Sequence, residues 1–183
     1  MTKMVAVAGY IWGEMIKNAG STVVASISTL LTSGGLTYPL NFYDACQLWK
    51  AQVGNRKPWD HKRHIKSTYG DWSTDATSGK SYGFDIWSNV HYGYVGRAAG
   101  FWTYVLKAGA GHAQLQAGTS PPGYWSRRFK RIGDADFLAA FDDPKDQAAI
   151  ELGARLWDTY GKTLTVQQLI DAVRADAAAL NTK

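Results

Sequence analysis

Cys46 is the single cysteine in 183 residues, so neither an intramolecular disulfide nor a cysteine-based zinc site can form, and the redox compartment stays open. No phosphate-binding loop of the G-x-x-x-x-G-K type, no dinucleotide fingerprint and no G-x-S-x-G elbow is present, which removes ordinary nucleotide-cofactor enzymes and serine hydrolases. No repeat of fixed period occurs. Charge is missing altogether from Asn18 to Tyr43, yet Ser, Thr, Gly and Asn interrupt that stretch too often for a membrane span, and stable insertion is not expected. Met4 to Gly13 is apolar behind Lys3, but Glu14 and Lys17 follow too soon for a signal peptide and no cleavage site ends it. Export would therefore need a dedicated secretion apparatus or an upstream domain. Glutamate is scarce, with only Glu14 and Glu151.

What remains is a chain that is 45% hydrophobic and 19% charged, an ordinary balance for one folded domain spanning residues 1–183. Eight Trp and ten Tyr offer core volume and also flat surfaces on which sugars or bases stack. The net charge of +5 is concentrated in Arg56-Lys57, in His61 to Lys66 and in Arg127 to Arg131. Those clusters suit an anionic partner, nucleic acid or an acidic cell-wall polymer; read singly, each also fits a solvated basic face.

Helical spacing of Met4, Ala8, Ile11 and Met15 predicts a helix over residues 4–19 that ends at Gly20. Ser21 caps a second helix through Leu31, stopped by Gly34-Gly35, and Phe42 to Val53 form a third apolar stripe closed by Gly54. Cys46 lies within that stripe and reads as a core thiol. Tyr69–Ser73 and Tyr82–Trp87 alternate around Asp75–Lys80, a β-hairpin pattern that would deliver Asp85 to a glycine-rich run. Arg97 to about Ala117 reads as a helix weakened by Gly100, Gly109 and Gly111. Thr119–Gly123 reads as a loop, Tyr124–Arg131 as a second basic and aromatic cluster, and Asp134–Phe141 as a short helix. Asp143, Pro144 and Asp146 form a helix start, which gives those acids a structural explanation, and the helix runs to Gly161. Thr165 with Gln168 is a capping box opening the last amphipathic helix. The expected fold class is α+β: one mostly α-helical domain with a small β-hairpin.

Ionisable residues worth weighing are few. Glu14 lies about 60° from Ile11 around the first helix, on the margin of the apolar stripe. A carboxyl there suits a general acid; the alternative is a surface pair with Lys17. Asp60 either orients a neighbouring His or Lys or caps the following turn. His61 and His64 are spaced to meet a metal from one helical face but lack a third ligand, so neither metal nor cofactor is expected. The run Ser81–Phe101 crowds Asp85, Ser88, Asn89, His91, Tyr92 and Arg97 among glycines, the composition of an active-site floor.

Five stretches bear a common resemblance: Gly13-Glu14-Met15 with Asn18; Pro58-Trp59-Asp60-His61-Lys62; Asp85 to Gly96; Ala98-Ala99-Gly100-Phe101; and Asp142 to Ala149. In this order they resemble the polymorphic toxin type 44 domain, or bacterial toxin 44 family, over about residues 10–160. The resemblance implies a secreted toxin used in competition between bacteria, carried by a larger protein or a dedicated system, with a cognate immunity protein as partner. It leaves the reaction open between two chemistries.

Cleavage of peptidoglycan glycan strands needs a proton donor and a second carboxylate or substrate assistance, with Glu14 as the acid and Asp85 or Asp60 as its partner. His91 joins these as a catalytic candidate. Trp59, Trp87 and Tyr92 with Lys62, Asn89 and Arg97 would bind the polymer. An early helix carrying one Glu, then a hairpin and helices, also resembles the lysozyme-type order. This muramidase-like reading, acting at the periplasm or cell wall, is preferred. The alternative is metal-independent cleavage of RNA by His91, His61, Lys62 and Arg97. A non-enzymatic membrane-active module is the minor third reading.

Overall fold

The computed structural model describes residues 2–117 and 143–183, with side chains described outside residues 111–117. The expected loop at 119–123, basic cluster at 124–131 and helix at 134–141 lie outside the described residues. Eight α-helices and one short hairpin make up the regular structure of the described residues: α1 (Lys3–Ala19), α2 (Thr22–Thr32), α3 (Tyr38–Val53), α4 (Lys62–Tyr69), β1 (Trp72–Thr74), β2 (Ser81–Gly83), α5 (Phe84–Ala98), α6 (Thr103–Ala117), α7 (Pro144–Tyr160) and α8 (Val166–Ala175). This is the mostly helical α+β class expected from the sequence.

Local rules account for most boundaries. Thr2 accepts a hydrogen bond from the Val5 amide at the start of α1, Ser21 does the same for Val24 in α2, and Asp143 for Lys145 in α7. The Thr165–Gln168 capping box opens α8 as its sequence requires. Met4, Val7, Ala8, Ile11 and Met15 are fully buried, so the α1 stripe faces the core.

The hairpin is shorter than its alternation suggests, and beyond Gly83 the glycine-rich run is helix rather than strand or turn. Phe84 to Ala98 is the central helix α5, in which Trp87, Val90, His91, Tyr94 and Val95 have no exposed surface. A glycine of α5 and one of α7 exist for packing. A Cβ on Gly93 would collide with the carbonyl oxygen of Ile150, and one on Gly153 with the carbonyl oxygen of Val90. Each helix thus supplies the notch into which the backbone of the other fits, letting α5 and α7 cross at a separation that side chains would forbid. Tertiary contact overrides the weak helix propensity of glycine here. The break comes further on, where Gly100 takes φ 99° and separates α5 from α6.

β1 and β2 pair antiparallel, with Trp72 opposite Gly83. The other edge of β2 is covered by residues 181–183: Ser81 exchanges backbone hydrogen bonds with Lys183, and the Gly83 amide donates to the Asn181 carbonyl. Asp75, 1% exposed, ties this corner to α8 by accepting from Nε and Nη2 of Arg174 at 3.0 and 2.9 Å.

Candidate functional site

Helix starts bring the acidic residues together. Asp85 occupies the first turn of α5, Asp143 caps α7 and Asp146 lies in its first turn. Acids are favoured there by the positive end of the helix dipole. With Lys145 and Asn181 they line a cleft of about 220 Å³. Burial raises the pKa of Asp146 above the ordinary carboxylate range; Lys62 pulls it back, Asp85 and Asp143 push it further up, and Asn89 favours the charged form. The Asn89 side chain reaches this corner from α5, is 8% exposed and turns its amide toward the Asp146 carboxylate. Asp85 is held by its neighbours: Oδ1 accepts from the Ile86 amide at 3.1 Å, and Asn181 Nδ2 lies 3.1 Å from both carboxylate oxygens.

A larger hollow of about 350 Å³ lies between α7 and residues 175–179. Its charged groups are already paired, Arg155 with Asp176 and Glu151 with Lys107, and they leave it no obvious chemistry.

The other sequence candidates fall elsewhere. Glu14, with its side chain 23% exposed, accepts from Lys17 Nζ at 3.2 Å and from Asn18 Nδ2 at 3.4 Å. Asn18 in turn meets Nε2 of His91 at 3.0 Å. The His91 ring lies 4.3 Å from that of His61, whose Nδ1 pairs with the Tyr10 hydroxyl at 2.9 Å. This is a buried polar chain linking α1, α4 and α5, with His91 fully buried and His61 4% exposed. Burial lowers the pKa of both histidines, His91 well below its ordinary value, so both are neutral near pH 7. Burial also pushes the Tyr10 hydroxyl up to about 12, with Glu14 and Tyr69 adding to it.

Asp60 caps the turn before α4: its carboxylate accepts from the Arg56 amide at 2.9 Å, where Arg56 adopts φ 61°, and from the Lys62 amide at 3.4 Å. The expected stacking surface at Trp87 is absent, because that ring is sealed in the core with Nε1 donating to Ser73 at 3.2 Å. Trp59, 9% exposed, packs on Trp49 and His91. Tyr92 donates to the Leu106 carbonyl at 3.1 Å, and Arg97 binds Asp158 and the Phe101 carbonyl. Of the sequence candidates, Asp85 therefore lines the cleft, and Asn89 and Lys62 act on Asp146 beside it. Asp143, Asp146 and Asn181 were missed: as a helix start, the acids at 143 and 146 already had a sufficient local explanation, and nothing local marks Asn181. Their appearance in the shared Asp142–Ala149 motif was the available signal for the two acids.

Among the described residues no group of three or more His, Cys, Asp or Glu side chains is arranged to hold a metal ion, and no helix is long and apolar enough to cross a membrane. Fold and cleft together define a mostly helical domain with carboxylates gathered where two helices begin. A family model described as bacterial toxin 44 matches residues 48–159, more than half of the chain. The chain belongs to that family and is a bacterial toxin domain. The matched span holds Lys62, Asp85, Asn89, Asp143 and Asp146 but starts well after Glu14 and stops before Asn181. No curated protein and no solved structure matches the chain.

Proposed function

We propose that this domain is a secreted antibacterial toxin that hydrolyses the glycan strands of peptidoglycan, with Asp146 as the proton donor and Asp85 as the second carboxyl group. The observation that carries this reading is the half-buried Asp146, its pKa raised, beside Asp85 in an open cleft. Glycosidic cleavage needs two carboxyl groups whose environments separate their protonation states: one delivers a proton to the leaving oxygen, and the other handles the positive charge developing on the sugar. The Asn89 amide supplies a donor for a sugar oxygen or acetamido carbonyl, and Lys62 and Lys145 suit the carboxylates of the peptide-bearing polymer. Burial of His61 and His91 favours carboxylates over imidazoles as the proton carriers. The acid assigned to Glu14 on sequence grounds moves to Asp146. A cognate immunity protein that covers the cleft and a cell-wall site of action complete the reading.

Expression of the chain with and without a periplasmic leader tests it. Killing is expected only with the leader, accompanied by muropeptide release from purified sacculi. Asp146→Asn should lower that release by on the order of 10²–10⁴-fold, the range for loss of a general acid, whereas Glu14→Gln should retain it. Cytoplasmic killing with degraded RNA, or a folded Asp146→Asn protein as active as the parent, overturns the assignment.

A further inference from the structure

We propose that Asn181 is a positioning residue for Asp85, so that the reactive cleft is completed by a residue outside the span that matches the family. This rests on the placement of Asp85 at the cleft. Asn181 Nδ2 lies 3.1 Å from each oxygen of the Asp85 carboxylate, a bridging donor that fixes the plane of the group. The Ile86 amide also donates to Oδ1 at 3.1 Å, and between them the two donors restrict rotation of the carboxylate.

The backbone is arranged to bring Asn181 there. Its carbonyl accepts from the Gly83 amide, and the next residues run along β2, with Thr182 bridged to Tyr82 and Lys183 paired with Ser81. Gly83 clears the space: a Cβ at that position would lie 2.5 Å from Asp85 Oδ1 and 2.6 Å from Asn181 Nδ2. The strand edge, the glycine and the amide form one device that aims a carboxylate into the cleft. A preorganised charge contributes more to a transition state than one that must reorient.

The full chain is compared as the parent, Asn181→Leu, Asn181→Asp, Asp85→Asn and the double variant Asp85→Asn/Asn181→Leu. The readouts are muropeptide release from sacculi and killing of cells expressing each protein. Asn181→Leu is expected to lower kcat about tenfold, the effect of losing a hydrogen bond to a charged group, with KM within about twofold. Asn181→Asp should lose more, because it sets a second carboxylate against the first. In the Asp85→Asn background the Leu substitution should add nothing, since its effect passes through Asp85. Additive losses in the double variant, or an Asn181→Leu protein as potent as the parent, overturn the proposal. If the Leu variant does not fold, the near-isosteric Asn181→Asp decides alone, and unchanged potency overturns it. A parent protein that kills yet leaves sacculi intact overturns only the glycan assignment, and the same comparison is then read on killing.

Discussion

Acid should destabilise this protein well before its carboxylates are protonated, because two of its histidines are buried neutral. In the unfolded chain each imidazole titrates near 6.5. In the folded chain burial lowers the pKa of His61 and takes His91 well below that value. The groups facing the pair are Asn18, Glu14, Lys17 and Tyr10 from α1, and Asp60, Trp59 and His64 from α4 and the turn before it. Glu14 and Asp60 favour protonation of His61 but do not outweigh burial, and His64 and Lys17 oppose it. A group whose folded pKa is depressed leaves the unfolded state holding more protons, so stability rises with pH through the window and falls as pH drops below about 6.5. For a histidine that remains neutral at pH 5, the loss relative to pH 7 is about 2 kcal/mol, and about 4 kcal/mol if both do. Asp146 acts in the opposite sense: its raised pKa means that protonation as the pH falls relieves a cost in the folded state. Urea unfolding followed by tryptophan fluorescence at the two pH values measures the net loss, expected to exceed about 1 kcal/mol. The same comparison on Asp146→Asn removes the opposing contribution and should show a larger loss. Equal stability at both pH values in both proteins would refute the argument, since a neutral buried pair cannot be indifferent to that change.

Gly153→Ala is expected to cost about 3 kcal/mol or more, beyond ordinary overpacking, because the new methyl meets the Val90 carbonyl and the Tyr94 amide, which are helix backbone and cannot rotate away. A shift of the urea midpoint smaller than that of a surface Gly→Ala control at Gly9, where a Cβ meets nothing within 4 Å, would contradict it. Arg174→Met should cost about 3 kcal/mol at neutral pH by leaving the Asp75 carboxylate buried without its guanidinium. Because that partner holds the Asp75 pKa well below the ordinary carboxylate range, the parent keeps this stability above about pH 4 and loses it as pH falls further. The stability difference between parent and variant should therefore shrink in strong acid, as read by denaturant unfolding at several pH values.

Much of the helical framework was legible in the chain because its signals are local. Thr2, Ser21, Asp143 and Thr165 each cap a helix through a hydrogen bond spanning two or three residues, and the stripes of α1 and α8 repeat at the helical period. The family was legible too, since its motifs are contiguous runs, although the matched span begins at residue 48 rather than near residue 10. What misled was the glycine-rich run. Its alternation of aromatic and small residues is a strand pattern, and only tertiary packing explains why Gly93 and Gly96 sit inside a helix: a Cβ at Gly93 would meet the Ile150 backbone of α7, and one at Gly96 the Leu106 side chain of α6.

The sequence by itself determined the chemistry available: one thiol, two glutamates, paired basic runs and the acids of the Asp142–Ala149 motif. It determined which segments are helical wherever a cap and a stripe agree. Which acids act together was decided only by tertiary structure. Asp85 and Asp146 are sixty-one positions apart, and they meet because two notched helices can pack backbone to backbone and begin at the same corner. Glu14, paired with Asp85 or Asp60 on sequence grounds, is joined instead through Asn18 to His91 in a polar chain. A carboxyl's protonation depends on the burial and charges that surround it in space, and sequence order does not encode that distance.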